Sequence, residues 1–411
     1  MKELPLSPLA PAAPFSTPPV PGVTGASLAL GLRYRGRDDV ALIAADPGSA
    51  VAGLFTRSTI PGHPVRWCRR VLPGGRIRGL VVNAGNANVA NGAAGEAAVA
   101  TVVDAAAQAL DCTREEIFVA STGVIGEPLD GNAIAAAVPS LVSRLAADGL
   151  ADCARAILTT DTFAKAASAV AVIEGVETRL TGIAKGSGMI APDLATMLAF
   201  VATDADLDAT VLQPLLARAA ERSFHCTTVD GDSSTSDTVL LIASRRAGHV
   251  PITAPEDSRL CDFVRALDEV CLELAQLVVR DGEGAQRFVE IAVSGAVDEA
   301  SARRAGLAVA NSPLVKTALA GADANWGRVV MALGKSGEPL EPVRLAVRFG
   351  DTLVCAEGGA VAGYDEAAVA AHLAGRKIIL QVDLGVGDGR SRVWTCDLTH
   401  GYIDINADYR S

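Results

Sequence analysis

Apolar positions along this chain follow two rhythms. Short runs rich in Val, Ile and Leu, bounded by Gly, Asp and Ser, recur at 40–44, 77–82, 117–120, 169–173, 197–202, 239–243, 288–293, 343–349, 378–382 and 393–396. Their brevity and β-branched content predict strands. Between them lie patterns of helical period. In 257–280, Leu260, Phe263, Val264, Leu267, Val270, Cys271, Leu274, Leu277 and Val278 hold one face, and Asp281-Gly282 ends the run. Shorter helices are predicted over 95–110, 132–147 (with a bend at Pro139), 211–224, 313–319 and 365–373. Strands and helices interleave without the steady alternation of a doubly wound sheet, which predicts an α/β fold, a layered α/β sandwich with mixed sheets.

The longest uncharged stretch, 4–32, carries seven prolines and is expected to form an irregular arm rather than a membrane helix or a signal-peptide core. The next, 79–95, is too short to span a bilayer and is interrupted by Asn83, Asn86, Asn88 and Asn91. No membrane association is expected. The 411 residues carry 36 Lys+Arg against 47 Asp+Glu, a net charge of -11, and only 4% aromatic residues. Neither a basic footprint nor a stacking platform for nucleic acid is present. Eight scattered cysteines form no C-x-x-C pair, and no histidine stands at zinc spacing. The expectation is a reduced, cytoplasmic thiol set with no metal and no cofactor.

Familiar motifs fail on inspection. Gly186-Ser187-Gly188-Met189-Ile190-Ala191 has a dinucleotide-like start, but Pro192-Asp193 follows where a helix should open. Gly334-Lys335-Ser336 lacks the earlier P-loop glycine, since position 329 is Val329. Asp230-Gly231-Asp232 begins like a calcium loop, yet has Thr235 and Leu241 where Gly and Glu are required. No G-x-S-x-G elbow occurs. An enzyme of this sequence needs a nucleophile that works without histidine.

One run can supply it. Lys185-Gly186-Ser187-Gly188-Met189-Ile190-Ala191-Pro192-Asp193-Leu194-Ala195-Thr196-Met197-Leu198 sets a glycine pair and a proline-constrained loop against a threonine that opens an apolar strand. If the Thr196 hydroxyl attacked the Ala195 carbonyl and the ester hydrolysed, the threonine's own α-amine would be freed. Such an amine titrates near about 7.7–8.0, against about 10.4 for lysine, and can activate its own hydroxyl. On pattern alone, the simpler reading of Thr196 is a β-branched residue at a strand start.

The run resembles the signature of the ornithine acetyltransferase (glutamate N-acetyltransferase) family, whose precursors cleave themselves before the threonine of an A-T-M-L segment. Further similar segments follow in family order: Asn83-Ala84-Gly85-Asn86-Ala87-Asn88, Ser121-Thr122-Gly123-Val124-Ile125-Gly126, Leu158-Thr159-Thr160-Asp161-Thr162, Thr228-Val229-Asp230-Gly231-Asp232, Val279-Arg280-Asp281-Gly282-Glu283-Gly284-Ala285, Asp323-Ala324-Asn325-Trp326-Gly327-Arg328 and Asp404-Ile405-Asn406-Ala407-Asp408-Tyr409-Arg410-Ser411. The likeness runs from about residue 20 to the end. Val89-Ala90-Asn91-Gly92, His225-Cys226 and Gln286-Arg287 depart from the family pattern but touch no carried-over residue.

The resemblance implies a self-cleaving N-terminal-nucleophile fold of the DmpA/ornithine-acetyltransferase kind, cut between Ala195 and Thr196. Residues 1–195, opening on the 1–22 arm, become one chain, and 196–411 become the other. The halves carry net charges of -1 and -10. It implies Thr196 as nucleophile, Thr122 and Gly123 as oxyanion hole, and Thr162, Lys185, Thr196, Glu283, Asn406 and Ser411 as substrate contacts. The implied substrates are N-acetylornithine and glutamate, with acetyl-CoA as a further candidate donor, and the implied assembly is a heterotetramer of two copies of each half. Lys185, Asn406 and Ser411 suit an α-carboxylate, and Glu283 the ornithine ammonium. Taken singly, Lys185 also reads as a solvated charge, Glu283 as a helix-end carboxylate, Asn406 as a turn residue and Ser411 as a chain end. Two other functions stay open here: an N-terminal-nucleophile amidase or aminopeptidase of related fold, and an acidic structural protein.

Overall fold

The structure is a computed structural model that describes residues 4–191 and 197–407. Its contacts divide into two compact units, the larger formed by 13–225 with 232–278 and the smaller by 4–12, 226–231 and 279–407. All ten expected strands and all six expected helices are present, with ends shifted by a few residues.

The larger unit holds β1 (Val23–Leu28), β2 (Val40–Ala45), β3 (Ala50–Phe55), β4 (Gly79–Asn86), β5 (Ile117–Val124), β6 (Lys165–Ile173), β7 (Val176–Lys185), β8 (Leu198–Thr203) and β9 (Thr238–Ala243). They form a four-stranded sheet of order β1-β2-β4-β5 and a five-stranded sheet of order β3-β9-β8-β7-β6. Both sheets are mixed, since β4–β5 and β8–β9 run parallel and the other pairs antiparallel. The expected irregularity of 4–32 is corrected in one part. Val23–Leu28 pairs residue for residue with β2, because the prolines stop at Pro21 and the alternating stretch after it can enter a ladder.

β8 is buried along its whole length, and the alternation of its side chains shows why. Leu198, Phe200 and Ala202 join Leu240 and Ile242 of β9 in a core shared with the four-stranded sheet and the helices 92–109, 131–143 and 150–156. On the opposite face, a Cβ placed at Gly182 of β7 would meet Val201 together with Leu274 and Val270 of the helix Cys261–Arg280. A sheet covered on both faces needs the near-continuous apolar runs by which its strands were recognised. β7 begins as the charged stretch Val176-Glu177-Thr178-Arg179, which conceals it from a hydrophobic reading.

The smaller unit holds β10 (Phe288–Ala296), β11 (Ala346–Phe349), β12 (Thr352–Ala356), β13 (Gly359–Ala360), β14 (Lys377–Asp383) and β15 (Gly389–Cys396), in the order β13-β12-β11-β14-β10-β15. Val289, Ile291 and Val293 of β10 alternate into a core with Val309, Leu319, Val329 and Leu333 from the helices Glu299–Ala310, Pro313–Ala320 and Trp326–Gly334. No described helix is long and apolar enough to cross a membrane.

Candidate active site

Thr196, Ala195 and Ser411 lie outside the described residues. The remaining implied residues form two groups, one in each unit.

In the larger unit, β4 and β5 run in register from Gly79↔Ile117 to Gly85↔Gly123, where the ladder is interrupted. Gly123 adopts φ 130°, and a Cβ there would lie 2.2 Å from the Gly85 carbonyl carbon. Only glycine fits this crossing, so the glycine loop is a demand of the backbone. Thr122, the preceding residue, is fully buried. β7 delivers Lys185 to it: the ammonium donates to Thr122 Oγ1 at 3.2 Å and to Thr159 Oγ1 at 2.8 Å. Lys185 is 2% exposed, which overturns its reading as a solvated charge. An ammonium cannot accept a hydrogen bond, so the Thr122 hydroxyl must aim its own proton away from Lys185.

Asp161 holds this group together. Its Oδ1 accepts from Lys165 Nζ at 2.7 Å and from the Gly186 N–H at 2.6 Å. Its Oδ2 accepts from the Thr159 N–H at 3.0 Å and stands 3.8 Å from Lys185 Nζ. Burial opposes ionisation of Asp161, but the Lys165 and Lys185 ammonium groups outweigh it and hold the carboxyl below the usual carboxylate range. Thr162, half-buried, follows directly in the chain, and Thr160 is hydrogen-bonded to Ser187 at 2.7 Å between hydroxyl oxygens.

In the smaller unit, Asn406 Nδ2 donates to Glu283 Oε2 at 2.7 Å. Asn406 lies within the helix His400–Ala407, not in a turn, and its amide also donates to the Tyr402 carbonyl at 3.0 Å. The helix seats on Gly284, where an added Cβ would come within 2.4 Å of the Tyr402 nitrogen, and Thr399 Oγ1 donates to the Gly284 carbonyl at 2.7 Å. Glu283 is buried in spite of its charge, and the Asn406 amide offsets part of that cost.

Of the residues implied by resemblance, Thr122, Gly123 and Lys185 are brought together, Thr162 adjoins them in sequence, and Glu283 meets Asn406. Asp161, Thr159 and Lys165 were not singled out from sequence, although Thr159 and Asp161 stood within a segment quoted for its likeness. A Thr122→Val chain keeps the volume but loses the hydroxyl, and is expected to lower kcat for acetyl transfer by roughly 10²–10³, as for loss of one oxyanion donor. Steady-state kinetics with melting as a folding control would check it, and an unchanged kcat would remove Thr122 from the oxyanion hole.

Comparison with known proteins places these features in context. A model of the ArgJ family matches residues 24–411. The arginine biosynthesis bifunctional protein ArgJ of Gluconobacter oxydans is 54% identical over 410 residues, covering 100% of this chain and 96% of that protein. Its counterpart of the same description in Rhizobium meliloti is 50% identical over 409 residues, covering 99% of each. Among solved structures, the arginine biosynthesis bifunctional protein argJ of Bacillus halodurans is 37% identical, spans 51% of this chain and 97% of its own, and superposes with a TM-score of 0.49.

Proposed function

Because this chain belongs to the ArgJ family, we propose that it transfers acetyl from N2-acetylornithine to glutamate by double displacement on Thr196. It is an acetyltransferase of arginine biosynthesis. The precursor cuts itself between Ala195 and Thr196, and the new α-amine becomes the base for the adjacent hydroxyl. Thr196 Oγ attacks the acetyl carbonyl carbon while the amine takes its proton. The developing oxyanion is met by the Thr122 hydroxyl and the Gly123 N–H, and ornithine departs with the proton returned to its nitrogen. Glutamate's amine then attacks the acetyl-threonine ester and restores the hydroxyl.

The observation that supports this reading most is the buried Lys185 ammonium 3.2 Å from Thr122 Oγ1, which makes the hydroxyl a donor away from itself at the entrance to the Gly123 crossing. Lys185, Thr162, Asn406 and Ser411 contact substrate, with Glu283 receiving the ornithine ammonium. The relatives' description as bifunctional fits acetyl-CoA as a second donor. The enzyme works in the cytoplasm as a heterotetramer, two copies of each half.

The test is an assay of the purified protein with glutamate and either acetylornithine or acetyl-CoA, combined with intact mass. The expected result is two species, 1–195 and 196–411, an acetyl adduct on the second after exposure to acetylornithine alone, and N-acetylglutamate once glutamate is added. Release of ornithine and acetate at a rate indifferent to glutamate would instead identify an amidase.

A further inference from the structure

Self-cleavage raises a difficulty that the finished enzyme does not have. In the uncut precursor the Thr196 nitrogen belongs to a peptide bond, so the amine that serves as base during acetyl transfer does not yet exist. Another group must take the hydroxyl proton.

The structure supplies one beside the residue that follows. Met197 is tied to the start of β9 on both sides of its backbone: its N–H donates to Asp237 Oδ1 at 3.1 Å, and its carbonyl accepts from the Thr238 N–H at 3.1 Å. Parallel pairing continues this register, with Leu198 opposite Thr238. The Thr196 hydroxyl oxygen is four bonds from the Met197 nitrogen, so covalent geometry alone keeps it within about 3–5 Å of that atom.

Asp237 is fully buried, and its Oδ2 has no hydrogen-bond partner among the described residues. A structural buried carboxylate in the same unit looks different: Asp39 occupies both oxygens, on the Leu30 and Leu32 N–H groups, at 2.7 Å each. Thr56, which flanks Asp237, gives its own proton to the Ser234 carbonyl at 2.5 Å. Leaving a buried acceptor unmade is costly, and such groups concentrate where chemistry uses them.

We propose that Asp237 is the proton carrier of precursor self-cleavage. Its carboxylate takes the Thr196 hydroxyl proton as Oγ attacks the Ala195 carbonyl carbon. The resulting carboxylic acid returns that proton to the Thr196 nitrogen as the carbon–nitrogen bond breaks, leaving Ala195 esterified to Oγ. Water then hydrolyses the ester to the Ala195 carboxylate and the free hydroxyl, and the released amine takes over as base. Burial pushes the Asp237 carboxyl well above the usual carboxylate range, while the Met197 N–H, the Thr56 and Ser234 hydroxyls and the Lys185 charge on β7 pull the other way. A base raised toward neutrality is the better match for this transfer. The proposal rests on self-cleavage at Ala195–Thr196.

The experiment follows freshly synthesised full-length chain by intact mass over time. Wild type is expected to convert to two halves, Asp237→Asn at least about 100-fold more slowly, and Asp237→Glu at an intermediate rate. Because asparagine removes a carboxyl that resists burial, the asparagine chain should melt no lower than wild type under matched conditions. Cleavage of Asp237→Asn at the wild-type rate overturns the role of Asp237 and leaves self-cleavage intact, whereas a wild-type chain that never cuts overturns self-cleavage itself. Should the asparagine chain melt early, the glutamate chain decides: retained cleavage supports the proton role, and a folded glutamate chain as inert as asparagine overturns it.

Discussion

A chain carrying Thr196→Ala is expected to remain a single full-length species and to transfer no measurable acetyl. Removing the nucleophilic hydroxyl from an enzyme that works through a covalent intermediate costs on the order of 10⁶ in turnover. Were Thr196 only a β-branched residue at a strand start, the same change would alter stability by about 1 kcal/mol or less and leave activity alone. The two readings differ so widely that gel mobility and one acetylornithine assay separate them. Thr196→Ser should cut and transfer, more slowly, because it keeps the hydroxyl; a Thr196→Ala chain that produced N-acetylglutamate would end the assignment.

Asp161→Ala should be the most damaging change to the described site. Asp161 is a buried carboxylate pressed against two buried ammonium groups, with Lys165 at 2.7 Å and Lys185 at 3.8 Å. Removing one member of such a group leaves uncompensated buried charge and typically costs about 3–5 kcal/mol. Chemical unfolding should register that loss, with acetyl transfer falling as Lys185 is released from Thr122. The carboxyl also predicts the acid behaviour. Its folded-state value lies below the ordinary 3.8, so its stabilisation is complete above the unfolded value and disappears as pH falls through the folded one. Wild type should therefore lose stability below about pH 4 more steeply than Asp161→Asn, and parallel acid profiles for the two would contradict the assigned charge state.

Strands were legible where both faces are buried, because an unbroken apolar run such as Phe200-Val201-Ala202 has few other readings. They were hidden where one face meets solvent or the ends carry charge, as in Val176–Lys185, and where the sequence is small and glycine-rich, as in Ala50–Phe55. Helices of low amphipathic contrast, such as the Ala-rich Glu299–Ala310, were lost for the same reason. At the site, residue types with a motif were found and those defined only by partners were not. Asp161 is one of 47 acidic residues until two lysines from β6 and β7 close on it. Asp237 gives one local hint, an acid placed directly before the wholly buried strand Thr238–Ala243, but its importance depends on facing Met197 across a parallel pair that periodicity cannot reveal.

The strand order β3-β9-β8-β7-β6 bears on the life of the protein after cutting. With the break between 195 and 196, β3, β7 and β6 belong to one product and β9 and β8 to the other, so the second product's pair is wedged between strands of the first. Before the cut, that insertion is an intramolecular event, favoured by the short tether between β7 and β8. Afterwards the tether is gone, and a molecule once pulled apart could reassemble only by encounter, at a rate set by concentration. Maturation would thus act as a ratchet: the chain reaches its architecture as one piece, and the scission that arms it also erases the easy route back.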